Sequence, residues 1–203
     1  MKRFFILMAI VCVSTMAVAQ KADIGVTVGG SFVSDTQGAF LLPPPTNVTL
    51  HTDHHIFIEG TLAFRLLDAK VASLHVELPI AAIPSQKITF ATAPSAVIDH
   101  LSSTFITPAL RLKFVPASPI APWVSFGGGW AHYSLDSGNS NSKAALQYGG
   151  GLDFKTGLPV LGFRAEVRDF VTGDPNLNVI SLANTSGFHH HNVLAGGGII
   201  LRF

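Results

Sequence analysis

Residues 56–66 read Ile-Phe-Ile-Glu-Gly-Thr-Leu-Ala-Phe-Arg-Leu. Ile56, Ile58, Leu62, Phe64 and Leu66 fall on even positions, while Glu59, Thr61 and Arg65 fall on odd ones. A period of two is a strand signature, because successive side chains leave opposite faces of an extended chain. The same alternation recurs along the sequence. Ile24, Val26, Val28 and Phe32 stand against Asp23, Thr27 and Ser31, and Leu74, Val76 and Leu78 against Ser73, His75 and Glu77. Ile106, Leu110, Leu112 and Phe114 oppose Thr107, Arg111 and Lys113. Val124, Phe126 and Trp130 oppose Ser125, Gly127 and Gly129. Leu146, Tyr148, Leu152 and Phe154 oppose Gln147 and Asp153, and Leu161, Phe163, Ala165 and Val167 oppose Arg164, Glu166 and Arg168. Val193, Ile199, Leu201 and Phe203 oppose Asn192 and Arg202. Eight strands are predicted, and helical periodicity is sustained nowhere beyond the first twenty residues.

The connections select the architecture. Long or medium connections at about 33–53, 82–99, 135–142 and 172–190 alternate with short ones at 67–70, 116–119 and 155–159. A sandwich has no reason to alternate in this way, whereas an outer-membrane barrel has short periplasmic turns and longer outer loops. The expectation is an eight-stranded antiparallel up-and-down transmembrane β-barrel, all-β, with both chain ends on the periplasmic side.

The polar parity carries charges of both signs: Glu59, Arg65, Glu77, Arg111, Lys113, Asp153, Arg164, Glu166, Arg168 and Arg202. Eight strands enclose a lumen just wide enough to fill with side chains, so these residues are expected to pair across it and plug it. Glycines 25, 29, 127, 129, 149, 151, 196 and 198 share the inward parity and would relieve crowding there. Two aromatic girdles are expected. Phe64, Phe114, Trp123, Phe154 and Phe203 would form the periplasmic one, and Phe32, Phe105, Trp130 and Tyr133 the other.

Composition sharpens this picture. Of 203 residues, 48% are hydrophobic and only 12% charged, against a usual charged fraction of about 25%. The formal net charge of +1 argues against nucleic acid as a partner. Lys2 and Arg3, the apolar run Phe4 to Val13, and Ala17-Val18-Ala19 make a secretory signal pattern. Residues 1–19 are therefore expected to be a cleaved signal peptide, and 20–203 the barrel. Cleavage would remove the lone cysteine, Cys12, and lower Lys+Arg from 13 to 11 against Asp+Glu 12, a net charge of −1.

These patterns resemble the small outer-membrane β-barrel proteins of diderm bacteria, of which the OmpA/OmpX-like barrel is the familiar form. The terminus Gly198-Ile-Ile-Leu201-Arg-Phe203 is similar to the family's signal for the barrel-assembly machinery, with Gly198, Leu201 and Phe203 at its defining positions. The family's usual polar residue two places before the glycine is Gly196 here. The resemblance implies outer-membrane lipid and lipopolysaccharide as surroundings, a monomer, and no cofactor.

Two sets of residues carry candidate chemistry. His51, His54 and His55 could approach His189, His190 and His191 where the first and last strands close the barrel, and imidazole is the common ligand of zinc, copper and nickel. His132 and Ser134, two apart on one face, resemble the His-x-Ser element of outer-membrane lipid A deacylases. Leu135 replaces the asparagine that follows the serine in those enzymes, and no glutamate stands in the next strand to orient the base. The expected role is therefore non-enzymatic: an envelope structural or surface-interaction protein binding a surface ligand through its loops. A narrow porin-like channel and a deacylase-like membrane enzyme are the alternatives.

Overall fold

The computed structural model describes residues 22–33, 36–40, 46–52, 55–92, 95–136, 138, 140–173 and 189–203. The expected signal peptide lies outside the described residues. The strands are β1 (Ala22–Val33), β2 (Thr36–Phe40), β3 (Thr46–Thr52), β4 (His55–Asp68), β5 (Ala72–Thr92) and β6 (Ser95–Ile106), followed by β7 (Ala109–Phe114), β8 (Ile120–Leu135), β9 (Ser140–Lys155), β10 (Leu161–Gly173) and β11 (His189–Arg202). Every pairing is antiparallel. β1 pairs with both β4 and β11, and the wall of the barrel closes there.

Eight staves make up the wall. β6 and β7 form a single stave, since both lie between β5 and β8. The interruption falls at Thr107-Pro108, where proline has no N–H to give the ladder. The Pro108 carbonyl still accepts from Gly128 N at 3.1 Å. β2 and β3 are an appended hairpin, and β3 pairs with the far part of β5 through Leu50 and Phe90.

The parity read from the sequence is the parity of the wall. Ile24, Val26 and Val28 are 44–51% exposed on the outside, while Asp23, Thr27 and Ser31 between them are buried. The same division holds for Leu110 and Leu112 against Arg111, and for Phe163 and Val167 against Arg164 and Glu166. Polar inside and apolar outside inverts the arrangement of a water-soluble protein. A closed sheet satisfies its backbone polar groups internally, so such a surface belongs against hydrocarbon. The barrel spans a membrane by its strands. Among the described residues no helix is long and apolar enough to do so.

Two expectations are corrected. The segment 82–99 is not an open loop: β5 runs on to Thr92 and β6 returns from Ser95, with Phe90 opposite Val97. The 33–53 connection likewise contains β2 and β3. Both stretches are rich in Thr, Val, Ile and Phe, and a ladder pairs backbone groups as well outside the bilayer as within it. The girdles are also thinner than expected. Trp123, Phe105 and Tyr133 face the interior and are buried, because they sit on the inward parity of β8 and β6. Phe32, Phe64, Phe114, Trp130 and Phe203 remain on the outside.

Candidate functional site

Inward-pointing residues of all eight staves meet in the lumen and form two levels. The level nearer the short turns is ionic. Asp23 comes from β1, Glu59 from β4, Glu77 from β5, Arg111 and Lys113 from β7, Asp153 from β9, and Arg164, Glu166 and Arg168 from β10. All of them are buried.

Arg168 is the hub. Its guanidinium lies 2.8 Å from Glu77 Oε1, 3.1 Å from Glu59 Oε1 and 3.2 Å from Glu166 Oε2. Arg111 reaches Glu77 Oε2 at 3.3 Å and Asp23 Oδ2 at 3.1 Å. Lys113 contacts Asp153 Oδ2 at 2.6 Å and Asp23 Oδ2 at 3.5 Å. Arg164 Nε donates to Asp153 Oδ1 at 2.8 Å. Five carboxylates thus face four cations, and neutral donors add to the balance. Thr61 Oγ1 donates to Glu59 Oε1 at 2.9 Å, and Trp123 Nε1 to Asp153 Oδ1 at 3.1 Å.

Trp123 is the residue that ties this level together. Its ring lies 4.9 Å from the guanidinium carbons of both Arg164 and Arg168, and 5.7 Å from that of Arg111. Three cations around one indole ring combine cation–π attraction with apolar filling. Gly151, beside it in register, makes the room: a Cβ there would stand 2.7 Å from the Trp123 ring.

Two of the charges expected in the lumen stand at its turn-side mouth, outside this network. Arg65 bridges Asp68 at 2.6 Å on the turn side, and Arg202 belongs to the barrel mouth rather than to the network. Each comes within a few residues of a strand end, so its guanidinium emerges below the level where Arg168 and Glu77 meet.

The level nearer the long loops is apolar. Phe57, Ile83, Leu101, Phe105, Phe170 and Leu194 belong to one buried cluster together with Tyr133. Phe105 meets Phe170 at 4.8 Å between centroids and Tyr133 edge-on at 6.1 Å. The Tyr133 hydroxyl is 2.8 Å from Thr172 Oγ1, so the aromatic plug leaves that polar end satisfied. Gly196 clears space for Phe57, whose Cζ would be 2.9 Å from a Cβ at that position. The sequence signal for this level was the same odd parity of positions 57, 83, 101, 105 and 133 that carries the charges lower down.

The remaining candidates separate. His132 Nδ1 is 2.9 Å from Ser142 Oγ on β9, not from Ser134, and among the described residues no carboxylate forms an ion pair with it. Ser134 offers its carbonyl to Ser102 Oγ at 3.2 Å. His54 and the side chains of His51 and His189 lie outside the described residues. Among the described residues no three His, Cys, Asp or Glu side chains gather as a metal site. His191 Nδ1 is instead 2.6 Å from Asp169 Oδ2, which also accepts from the Tyr148 hydroxyl at 2.6 Å. Alternation alone does not signal that outward-facing cluster, because Asp169 breaks the apolar run of β10 at a single position. Gly198 faces inward between Val26 and Thr27, while Leu201 and Phe203 face outward at the end of the closing strand.

No protein-family model and no curated protein matches the chain in sequence. Solved structures do resemble it. Ail, the attachment invasion locus protein of Yersinia pestis in complex with the heparin analogue sucrose octasulfate, aligns with a TM-score of 0.53 and 13% identity, over 91% of this chain and 99% of Ail. The outer membrane protein OprG from Pseudomonas aeruginosa aligns with a TM-score of 0.54 and 12% identity, over 90% of this chain and 96% of OprG. The chain therefore has the closed eight-stranded antiparallel fold of small bacterial outer-membrane β-barrels.

Proposed function

We propose that this protein is a non-conducting, non-enzymatic outer-membrane barrel. It acts as an envelope structural element and presents its loop-side strands to a surface ligand. The observation that carries this reading is the double closure of the lumen: an ion-pair network fills one level, and an aromatic cluster fills the next. Ions in water find no continuous polar path through stacked phenyl rings, and the paired charges beneath leave little free volume. A lumen filled in this way stiffens the wall and leaves function to the parts that project. Those include the β5–β6 hairpin and the appended β2–β3 strands.

The assembly reading follows the closing strand. Gly198, Leu201 and Phe203 would be presented to the barrel-assembly machinery before β11 pairs with β1, and the product would be a monomer in lipid and lipopolysaccharide. The deacylase-like alternative has no support from an oriented base, since His132 contacts Ser142.

The test is electrical. Purified protein in planar bilayers should give no unitary conductance steps, and discrete steps would overturn the closed-lumen reading. Replacing residues 84–99 by a short turn should leave membrane insertion intact while abolishing ligand binding. Sucrose octasulfate, the ligand in the Ail structure, is the first probe to try.

A further inference from the structure

The lumen is not filled to its turn-side end. A cavity of about 610 Å³ lies below the ionic level, among the strand ends and the short turns. Four cationic side chains line it: Arg65, Lys113, Lys155 and Arg202. Asp23 is the only acidic side chain in that lining, and its Oδ2 already accepts from Arg111 and Lys113. Four cations and one carboxylate thus line it, and two of the cations, Lys113 and Arg65, are also paired with Asp153 and Asp68 just outside the lining.

The cations differ in how far they are committed. Lys113 is held by Asp153 at 2.6 Å. Arg65 meets Asp68 through one guanidinium nitrogen, Nη1, which leaves its other N–H groups for a second partner. Lys155 Nζ donates to the Ala117 carbonyl, a neutral acceptor, at 2.9 Å. Arg202 forms no ion pair among the described residues, although Asp23 is its register partner across β1.

The backbone makes room for Arg202. Gly162 is opposite Ile200 on β10, and a Cβ there would stand 2.7 Å from Arg202 Nη2 and 2.9 Å from Cζ. A side chain at 162 would compete with the guanidinium for this space. At the lining's other side stands His75, which is 4% exposed. Its Nε2 is 3.0 Å from Ser73 Oγ, while its buried Nδ1 has no hydrogen-bond partner. An orphaned buried ring nitrogen in a cation-lined cavity is a polar group awaiting a partner. In the tautomer in which Ser73 donates to Nε2, Nδ1 carries the proton and can donate.

We infer that this turn-side mouth binds a small phosphate-bearing anion, held by Arg65 and Arg202 with Lys155 and His75 completing the donor set. Guanidinium forks match the geometry of phosphate oxygens, and charge-assisted hydrogen bonds are the strong ones. Phosphate is favoured over a halide because two guanidinium forks line the cavity and it is larger than one hydrated halide. The phosphate could arrive on a free anion or on an anionic lipid headgroup at the same membrane face.

The probe is inorganic pyrophosphate, titrated calorimetrically into the purified protein in a non-ionic detergent at low ionic strength. Saturable 1:1 binding is expected. Arg202→Gln should weaken it about tenfold, the loss of one charge-assisted contact. Lys155→Gln, on an exposed side chain that leaves the wall untouched, should weaken it less. Lys143→Gln removes the same charge at the loop end and should change nothing. If Arg202→Gln fails to fold, Lys155→Gln against Lys143→Gln carries the comparison. Binding that persists in phosphatidylcholine nanodiscs points to the free anion. Binding lost only when phosphatidylglycerol is included points to a lipid headgroup in the same site. Absence of saturable binding up to millimolar pyrophosphate, or equal affinity in the Gln variants and wild type, overturns the inference.

Discussion

The two levels of the lumen solve one packing problem with opposite chemistry. Toward the turns, buried charges are held by one another around Arg168 and Trp123. Toward the loops, Phe57, Phe105 and Phe170 fill the same kind of space with rings. Both levels are buried, but they fail differently. Losing a ring leaves a cavity whose lining relaxes in part, whereas losing a charge leaves its partners buried and unpaired. The ionic level is therefore the one in which a single deletion spreads furthest.

Arg168→Met tests this most severely. It leaves Glu59 without its cation and takes one from each of Glu77 and Glu166, and a loss of about 5 kcal/mol is expected, read from urea unfolding in lipid vesicles. Phe170→Ala in the upper level should cost about 3 kcal/mol by the same measurement. The Phe105→Ala/Phe170→Ala double variant should still show no conductance steps, because the ionic level remains beneath it. Were it to conduct, the charged level would not be a seal and the comparison would collapse. Trp123→Phe keeps an aromatic face among the arginines but removes the donor to Asp153, at about 2 kcal/mol. Tyr133→Phe is the mildest change. It removes only the hydroxyl contact to Thr172 and should lower stability by about 1 kcal/mol, which a shift in the urea midpoint would register.

How much of this was legible follows from what alternation encodes. A period of two assigns each residue to a face, so the outward set in 56–66 and the inward Glu59 could be read directly. Parity carries no height, however. Arg65 and Arg202 sit on the same parity as Arg168, yet they emerge at the mouth because their positions fall near strand ends. The apolar level was hidden for a related reason. Phe105 and Tyr133 read as girdle aromatics by residue type, although their odd positions put them inside. The continuation of β5 and β6 had no hydropathy signal at all, since strand pairing beyond the bilayer depends on backbone hydrogen bonds that any residue except proline can make. The contact of His132 with Ser142 depends on cross-strand register, which local spacing between 132 and 134 does not contain.

The chain has only two tryptophans, and the wall separates them. Trp130 faces outward at 53% exposure, whereas Trp123 is sealed inside at 1%. One indole therefore reports the lipid and the other the interior. During assembly a brominated lipid would quench Trp130 as soon as the strand inserts, while the emission of Trp123 would change only when three arginines close around it. Insertion and lumen closure thereby become two separately timed optical signals within the unmodified sequence.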